Sequence, residues 1–324
     1  MINSLDLQST NQHLRKVHRI GKLLILFIVT SLLSVTGLYS WPRVQKDADA
    51  NQVLRFRFQS GETSVQVFGL VYAPAFGFPG GAGMVVSIMH EGRHTTGGYH
   101  YTWNDVKITD SGLTMGPQSI ELGHSIRVSF HSGDLTLNLT APGAERKSGP
   151  RFMISQRGRS LLSIDGADSI PDSLVSMSIY GKKVTLRGTV MVDHWKLPRD
   201  LPEDMQSIRI TTSRGEKSIF LAQPEFESRM ETYIQTGESD GQAHFREIPG
   251  KSSDWHYNSE CKLELELGNP VHVLNGDSIP STTRLLGLYL GKNPEIVSYD
   301  STIIDICGPS VKRRPAETTV LTLR

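Results

Sequence analysis

The sequence has few of the residues that mark metal clusters and nucleic-acid-binding proteins. Only two cysteines occur in 324 residues, Cys261 and Cys307, and they form no Cys-x-x-Cys pair of the kind that holds structural zinc. Basic and acidic residues nearly balance, at 34 and 33, and the longest basic cluster is 312–314. A polyanion needs a basic surface, so nucleic acid is not an expected partner. The two cysteines could pair in an exported domain, or pack as small apolar thiols.

Several common catalytic motifs are also missing. The sequence contains no Gly-x-Ser-x-Gly nucleophile elbow, no Walker loop and no dinucleotide-binding fingerprint. The glycine-rich stretch 77–83 lacks the Gly-Lys-Ser/Thr ending of a phosphate loop, and no helical pattern follows it, so it is interpreted as a turn. With 30 glycines and a hydrophobic content of 38%, the composition favours a β-protein with many turns.

The N-terminal region carries the clearest physical signal. Residues 1–22 contain four basic side chains, and no charged residue follows until Arg43. As a helix, the uncharged stretch 23–41 would be about 28 Å long at about 1.5 Å per residue, close to the hydrocarbon core of about 30 Å. The sequence therefore predicts a cytoplasmic N-terminus over 1–22 and a single transmembrane signal anchor over 23–41.

The charge distribution predicts that the main domain is exported. Basic residues before a membrane span favour a cytoplasmic N-terminus, and Tyr39 and Trp41 stand where interfacial aromatic residues are expected. The alternative is a cleavable signal peptide, because the most apolar part is short and 35–37 offers small residues for cleavage. In either case the rest of the chain would be periplasmic or extracellular.

Short strand-like runs fill most of the remaining chain. They recur at regular intervals between glycine-rich turns, the spacing of an antiparallel sandwich or barrel. The segment before residue 158 is richer in proline, glycine and charge, which indicates a boundary. We therefore predict a first β-unit over 52–145, a second β-unit over 158–308 and a loose polar tail over 309–324.

Some local pairings can be predicted. The strand-like runs 84–90 and 99–106 are predicted to form one hairpin, and 207–212 with 217–221 another. A short helix is predicted over 225–236, because its large apolar residues recur every four positions and a glycine follows. Its apolar stripe is interpreted as core packing.

One stretch matches a metal-binding signature. Residues His90 to His100 fit His-Glu-x-x-His-x-x-Gly-x-x-His, the zinc signature of the metzincin proteases. In that chemistry, His90, His94 and His100 would bind zinc, and Glu91 would activate the zinc-bound water. The first two imidazoles would have to lie one helical turn apart.

The residues around the signature favour a hairpin instead. Gly92 and the two threonines that follow His94 are weak helix formers, and 84–89 alternates in β-branched fashion. Arg93 would also place a cation beside the metal. A zinc metallopeptidase is therefore kept as an alternative function, with zinc as its cofactor.

Three chemically capable side chains stand together at the end of a β-branched run. Residues 188–195 read Gly-Thr-Val-Met-Val-Asp-His-Trp and place Asp193, His194 and Trp195 at a predicted strand end. Neighbouring strand residues point to opposite faces, so Asp193 and His194 can share one cavity only if the strand ends or bulges there. Otherwise either side chain could simply hydrogen-bond a neighbouring loop.

Two β-units and these motifs resemble a known superfamily. Residues 188–195 with Leu197-Pro198 after them, and residues 98–106 followed by 112–116, are similar to segments of the lipocalin-like superfamily of carotenoid hydratases and AttH-type proteins. The resemblance covers about 52–225. It implies a mainly β fold of two tandem calycin-like barrels, with an apolar pocket for a lipophilic small molecule.

The resemblance also suggests a chemistry. Some members are hydratases or cyclases, and protonating an alkene needs an acid in an apolar cavity with aromatic faces nearby. Asp193 would be the acid and His194 its orienting partner. The predicted ligand-binding wall comprises Trp195, Tyr99, Tyr101 and Trp103.

The leading hypothesis is a membrane-anchored, lipocalin-like protein that binds an isoprenoid or other lipid. It would either carry this molecule or act on it as a hydratase, cyclase or isomerase, and no cofactor is expected. The alternatives are the zinc metallopeptidase and a structural β-module that holds a partner protein.

Overall fold

The described part of the chain is built almost entirely of β-strands. The computed structural model describes residues 50–74, 80–109, 111–143, 151–156, 159–166, 170–199, 202–213, 219–227, 229–237, 243–249, 254–256, 261–274 and 294–323. The prediction of a mainly β fold is confirmed. Within these ranges no helix is long and apolar enough to cross a membrane. The predicted anchor at 23–41 and residues 77–79 of the glycine-rich turn predicted at 77–83 lie outside them.

Among the described residues, the first sheet has 13 strands, and a short 3-10 helix, Trp103–Asp105, connects two of them. Its strands are β1 Ala50–Ser60, β2 Thr63–Tyr72, β3 Gly81–His90, β4 Arg93–Thr102, β5 Val106–Thr109, β6 Gly112–Met115, β7 Gln118–Leu122, β8 Ser125–Ser132, β9 Leu135–Pro142, β10 Arg151–Gln156, β11 Arg159–Gly166, β12 Ile170–Ile179 and β13 Lys182–Pro198.

The first sheet curls into a nearly closed barrel. Its main path runs β4-β3-β2-β1-β13-β12-β9-β8-β7-β6-β5, and the short helix Trp103–Asp105 joins the two end strands in sequence. Strand β13 is long enough to pair with β12 through its first half and with β11 through its second half. Consecutive strands are mostly antiparallel hairpin neighbours, which is the arrangement that short regular turns predict.

Strand alternation gives the barrel a filled interior. On β1, Leu54, Phe56 and Phe58 are 0 to 1% exposed and point to the same side, because alternate strand residues share a face. They pack with apolar side chains from β2, β3 and β6 to β9 in one large cluster. The intervening residues of β1 point to the opposite face, towards the second sheet.

In the described part of the chain, the second sheet has eight strands in the order β17-β16-β15-β14-β21-β20-β19-β18. These strands are β14 Met205–Ser213, β15 Ile219–Phe226, β16 Glu231–Gly237, β17 Ala243–Pro249, β18 Asp254–His256, β19 Cys261–Leu274, β20 Pro294–Cys307 and β21 Ser310–Leu323.

Both predicted hairpins are present. Strand β3 pairs with β4 so that Met84 lies opposite Tyr99, and β14 pairs with β15 so that Thr212 lies opposite Phe220. Each hairpin is local in sequence, and its pairing follows from alternation and a turn signal alone.

The helix predicted over 225–236 was wrong. Strand β15 continues to Phe226, and β16 begins at Glu231 and pairs with it. Thr232, Tyr233 and Ile234 are β-branched or aromatic and suit the pleated surface of a sheet. The four-residue spacing of apolar residues is therefore accidental, because tertiary strand pairing outweighs a weak helical pattern.

The prediction of a loose tail after residue 308 was also wrong. Residues Ser310 to Leu323 form β21, which lies between β14 and β20 inside the second sheet. Its polar residues Glu317, Thr318 and Thr319 are buried. The segment looked like a solvated tail because the partners of these polar residues lie far away in the sequence.

The division between the sheets falls later than the predicted boundary between the β-units. Strands β10 to β13, which span residues 151–198, belong to the first sheet with β1 to β9. The second sheet starts only at Met205. The predicted boundary before residue 158 therefore falls within the sequence span of the first sheet.

Cys261 and Cys307 form a disulfide. They lie directly opposite each other on β19 and β20, at the end of the pairing that these strands share. The bond closes a loop with a sequence separation of 46 residues, which limits the conformations of the unfolded chain. Of the two states considered for these cysteines, the structure shows the paired one.

Candidate functional site

The face of the first sheet that meets the second sheet is divided into an apolar end and a polar end. On β1, Val53 belongs to the apolar end and Arg55 to the polar end. On β13, Trp195 and Asp193 divide in the same way. Because alternate residues of a strand share a face, one short stretch of each strand places an apolar and a charged side chain next to each other.

The apolar end encloses a pocket between the two sheets. Its empty space is about 490 Å³, part of it open to solvent. The wall combines Phe68 and Leu70 of β2 and Trp195 of β13 with Ile296 and Leu321 of the second sheet. Its lining is mostly apolar, as is typical of small-molecule sites.

Trp195 also carries a buried polar atom next to this pocket. The side chain is 3% exposed, and its indole Nε1 is buried without a hydrogen-bond acceptor. The guanidinium carbon of Arg55 lies 4.9 Å from the centre of the Trp195 ring, a cation-π contact. Trp195 therefore joins the apolar pocket to the charged residues beside it.

The polar end is organised by four ionised side chains, Arg55, Arg57, Asp193 and Glu317, which we call the charged cluster. Arg55 Nε and Nη2 each lie 3.1 Å from Asp193 Oδ2, and Arg57 Nη2 lies 3.0 Å from the same oxygen. Arg57 Nη1 lies 3.1 Å from Glu317 Oε2, and Arg55 Nη1 lies 3.7 Å from Glu317 Oε1. Two cations thus face two anions across the sheet interface.

Burial and the neighbouring charges shift the pKa values of both arginines. Burial lowers the pKa of Arg55, and the neighbouring Arg57 lowers it further. Burial opposes the charge of Arg57 as well, but Asp193 and Glu317 together raise the pKa of Arg57. Both guanidinium groups stay charged at ordinary pH. A buried cluster of this kind is stable only while all its charges are paired.

Neutral polar side chains complete the coordination of the cluster. Gln66 Nε2 donates to Glu317 Oε1 at 3.1 Å, and Ser298 Oγ donates to Gln66 Oε1 at 3.1 Å. Arg55 Nη1 donates to Thr319 Oγ1, whose hydroxyl is 3.2 Å from that of Ser298. These bonds join strands of both sheets, so the charged cluster is part of the contact that holds the sheets together.

A chain of hydrogen bonds leads from the surface to this region. His94 Nε2 is 2.7 Å from Ser87 Oγ, which is 2.8 Å from His272 Nδ1, and His272 Nε2 is 2.9 Å from Ser64 Oγ. His94 is exposed and His272 is 2% exposed. Burial lowers the pKa of His94 and also lowers that of His272, to about 4. His272 of the second sheet is therefore neutral and bridges two serines of the first.

The structure does not bring the predicted catalytic pair together. Asp193 and His194 lie inside β13, which continues to Pro198, so the predicted strand end at Trp195 was wrong. The two side chains point to opposite faces. Asp193 enters the charged cluster, whereas His194 Nε2 lies 3.3 Å from Gln52 Oε1. Their catalytic roles stay predictions.

The predicted aromatic wall is divided in the same way. Trp195 lies in the pocket, but Tyr101 and Trp103 pack against the core inside the barrel. Tyr99 is 40% exposed, with its ring centre 6.4 Å from that of Phe130 and 6.3 Å from that of Tyr101. Among the four predicted wall residues, Trp195 alone lines the described pocket.

The metzincin signature forms a hairpin, which contradicts the metallopeptidase alternative. His90 is the last residue of β3, and His94 and His100 both lie on β4. At about 3.3 Å per residue, the Cα atoms of His94 and His100 are about 20 Å apart along this strand. His90 Nδ1 is 2.8 Å from Thr63 Oγ1, so this ring nitrogen already has a hydrogen-bond partner. Burial lowers the pKa of His100. In the described part of the chain, no three His, Cys, Asp or Glu side chains converge as a metal site.

Glu91 occupies the tight turn of this hairpin. Its φ is 51° and that of Gly92 is 72°, the two left-handed positions of a two-residue hairpin turn. We expect Glu91→Asn to raise the free energy of unfolding by about 0.5 to 1 kcal/mol, because asparagine adopts this conformation more easily. Urea unfolding of the full chain measures the change.

Glu62→Asn is the matched control for that substitution. Glu62 lies in the neighbouring β1 to β2 turn but is not in the left-handed region, so it should gain no such stability. Equal effects of the two substitutions would contradict the turn assignment.

Sequence reasoning missed most of the charged cluster and the histidine bridge. Arg55 and Arg57 alternate with buried apolar residues in β1. This pattern indicates a buried ion pair, because an arginine on a buried strand requires a partner. Glu317 and His272 carried no comparable signal. Glu317 lies 262 residues after its partner Arg55, and His272 lies 208 residues after its partner Ser64. Only the packing of the two sheets reveals these contacts.

Comparisons with known proteins support the fold. The sequence matches no protein-family model and no curated protein. A Nitrosomonas europaea protein described as an AttH is similar in structure, with a TM-score of 0.57 and 12% identity, over 86% of this chain and 96% of the other. Kievitone hydratase of Nectria haematococca has a TM-score of 0.54 and 9% identity, over 87% and 93%.

These likenesses extend across both sheets, because each covers well over four fifths of the chain. At such low identities they establish the fold and leave the activity open. The resemblance seen in the sequence is confirmed at that level: the chain has the lipocalin-like fold that the AttH protein and kievitone hydratase share.

Proposed function

We propose that this protein binds a lipophilic small molecule, an isoprenoid or another lipid, in the pocket between the two sheets. The observation that carries the proposal is the pocket itself, whose walls are mainly leucine, isoleucine, valine, phenylalanine and tryptophan. Water finds few hydrogen-bond partners between apolar walls, whereas an apolar ligand removes both its own surface and that of the wall from water.

The shared fold gives separate support. Kievitone hydratase is by its name an enzyme of a small organic molecule, and its fold matches this chain over both sheets. A small-molecule ligand is therefore compatible with this architecture. A hydratase activity for this chain is a more specific proposal. The residues that line the pocket give it less support than they give to binding.

Binding is better supported than hydration. Alkene hydration needs a proton donor beside the substrate. The polar residues of the described lining are Asn51, Gln52, Tyr72 and Trp195, and this lining contains no carboxyl group. Asp193 lies next to the pocket, but its ion pairs with Arg55 and Arg57 require the ionised carboxylate. We therefore favour a carrier or receptor of the ligand over a hydratase.

The proposed location is the outer face of a membrane. It rests on the uncharged stretch 23–41 and the basic residues before it. Fractionation of cells that express the full chain tests this part. Sedimentation with membranes that resists alkaline extraction would support an anchor, and release as a soluble protein would contradict it.

A fluorescent probe tests the binding function. We expect N-phenyl-1-naphthylamine to bind the full chain in detergent saturably, at one site per chain. Leu70→Trp should weaken binding by about ten-fold or more, because Leu70 lines the pocket and the larger ring would fill it. The readout is the rise in probe fluorescence, corrected with a protein-free detergent blank.

Leu174→Trp is the matched control, since Leu174 lies on the first sheet and is 40% exposed. It should bind the probe as the unchanged chain does. Non-saturable binding, or equal loss in both variants, would contradict a ligand site in this pocket. Solvent extraction of the purified chain, followed by mass spectrometry, would then show whether an apolar molecule copurifies.

A further inference from the structure

The hydrogen bonds of His272 hold the second sheet against the first. His272 lies on β19 and is 2% exposed. Its Nε2 is 2.9 Å from Ser64 Oγ of β2, and its Nδ1 is 2.8 Å from Ser87 Oγ of β3. Both serines are buried as well. The imidazole therefore bridges the two sheets at a place with little access to water.

A proton on His272 would disturb the charge balance of this interface. The side chains bonded to its ring are neutral serines, and the charged cluster already balances two cations with two anions. Burial opposes a positive charge on His272 most strongly, Glu317 of β21 favours it, and His94 of β4 and Arg55 of β1 oppose it. The added proton therefore leaves a net positive charge between the sheets, which is strongly unfavourable.

Solvent protons have a hydrogen-bonded path to the buried ring. His94 is exposed, and its Nε2 is 2.7 Å from the same Ser87 hydroxyl that contacts His272 Nδ1. The ring centres of the two histidines are 6.0 Å apart. The buried imidazole is thus one hydroxyl group away from an exposed one.

Two neighbouring rows of the second sheet carry these polar contacts and the pocket wall. The polar row takes one residue each from β19, β20 and β21, directly opposite one another: His272, Ser298 and Thr319. The apolar row lies two residues along the same strands: Leu274, Ile296 and Leu321. Residues two apart in a strand share a face and lie about 7 Å apart. Because Ile296 and Leu321 line the pocket, a shift of the polar row away from the first sheet also shifts the pocket wall.

We propose that protonation of His272 separates the two sheets at the polar row and releases the ligand from the pocket. The protein would hold its lipophilic molecule at neutral pH and release it in acid. This inference rests on the proposed binding function and adds to it the regulation of the same site.

Proton linkage sets the direction and the upper limit of the effect. In the structure, burial is the main cause that lowers the pKa of His272 to about 4. Once the sheets separate, the imidazole would titrate near its ordinary value of about 6.5. The separated form therefore binds the proton more tightly, and its population relative to the closed form rises as pH falls between these values. At pH 4.5 the rise is at most about 80-fold, and the affinity falls with the fraction of closed chains.

The affinity of N-phenyl-1-naphthylamine at several pH values tests the inference. This probe stays uncharged between pH 7.5 and 4.5, and it is titrated with the full chain in one non-ionic detergent at each pH. We expect binding to be at least about five-fold weaker at pH 4.5 than at pH 7.5, and to recover when the pH is returned to 7.5.

Two histidine variants identify the group that responds. His272→Gln keeps a polar side chain that takes up no proton in this range, so it should remove most of the change in affinity with pH. His131→Gln is the matched control, because it removes an exposed imidazole of the first sheet, and it should retain the full change.

Calorimetry on the unchanged chain covers the case in which His272→Gln does not fold. Because the closed form holds the proton less tightly, binding of the probe at pH 5 should release protons. Binding heats measured in two buffers that differ in ionisation enthalpy report this release. Binding without proton release would overturn the inference without any substitution.

The outcomes separate this inference from the function on which it rests. If the probe binds saturably at pH 7.5 and equally well at pH 4.5, or if His272→Gln keeps the full pH dependence, the release mechanism is overturned while the pocket stands. Loss of the β-sheet signal in circular dichroism at pH 4.5 would assign the effect to global unfolding and would also overturn it. If the probe does not bind at pH 7.5, the proposed function fails together with the inference.

Discussion

Replacing Asp193 with asparagine should lower the free energy of unfolding by about 3 to 5 kcal/mol. The Asp193 carboxylate is the contact that Arg55 and Arg57 share, and the side chains of all three residues are 2 to 3% exposed. Without it, two buried guanidinium groups would share the single carboxylate of Glu317. The loss reflects an unpaired buried charge, which costs far more than the net value of the ion pair.

Urea unfolding of the full chain in detergent, followed by tryptophan fluorescence, measures this loss. The matched control is Asp172→Asn, which breaks an ion pair of 3.7 Å with Arg187 in which the side chains are 75% and 72% exposed. Exposed pairs contribute little, so its effect should stay within about 0.5 kcal/mol. A loss below about 1 kcal/mol for Asp193→Asn would contradict the buried cluster.

A double variant separates charge balance from the loss of a particular side chain. Arg57→Met combined with Asp193→Leu removes one cation and one anion and leaves Arg55 facing Glu317. We expect it to be more stable than Asp193→Leu alone, because the remaining charges balance.

If Asp193→Asn instead unfolds like the unchanged chain but abolishes turnover of a bound ligand, the catalytic role predicted from the sequence would be supported.

Acidification should weaken the contact between the sheets through His272. In the folded chain, burial is the main cause that lowers the pKa of His272 to about 4. The nearby Glu317 opposes this shift, while His94 and Arg55 add to it. In the unfolded chain the imidazole would titrate near its ordinary value of about 6.5.

The sign of the pH effect follows from proton binding. Between these two pKa values the unfolded chain binds more protons than the folded chain, so the free energy of unfolding falls as pH falls. The contribution of His272 is fully present above about pH 6.5 and is lost progressively down to about pH 4, a total of about 3 kcal/mol. Below that range His272 adds no further change.

Urea unfolding at several pH values between 7 and 5 measures this slope before the carboxylates titrate strongly. His272→Gln removes the ionisable ring and should flatten the slope, although it also lowers stability at neutral pH through lost hydrogen bonds to Ser64 and Ser87. His131→Gln removes an exposed imidazole and should leave the slope unchanged. Parallel pH profiles for the unchanged chain and His272→Gln would refute the role of His272.

Local features of this chain were predictable from its sequence. Alternation and turn residues predicted the β3 to β4 and β14 to β15 hairpins, and the weak helix formers after His90 correctly favoured a hairpin over a zinc helix. The short motifs at 98–116 and 188–195 indicated the lipocalin-like fold. Each of these inferences depends on residues close together in the chain, where spacing fixes geometry.

The candidate site was predictable only in part. Trp195 was identified as a ligand-binding residue, and the pocket contains it. Its predicted companions Tyr101 and Trp103 lie on the other face of the barrel wall, because sequence proximity does not say which face of a curled sheet a strand presents. Asp193 was noticed as an acid, but its ion-pair partner Arg57 is 136 positions earlier in the chain.

The sequence by itself determined the β class, the hairpins and the absence of the motifs of several enzyme classes, since these follow from nearest-neighbour patterns. Tertiary structure alone decided that Ser310–Leu323 is a central strand, that the charges of Arg55 and Glu317 meet, and that the pocket lies between the sheets. The physical reason is that a buried polar residue is stable only beside its partner. Here the partners lie on different sheets, and no local pattern encodes how two sheets pack.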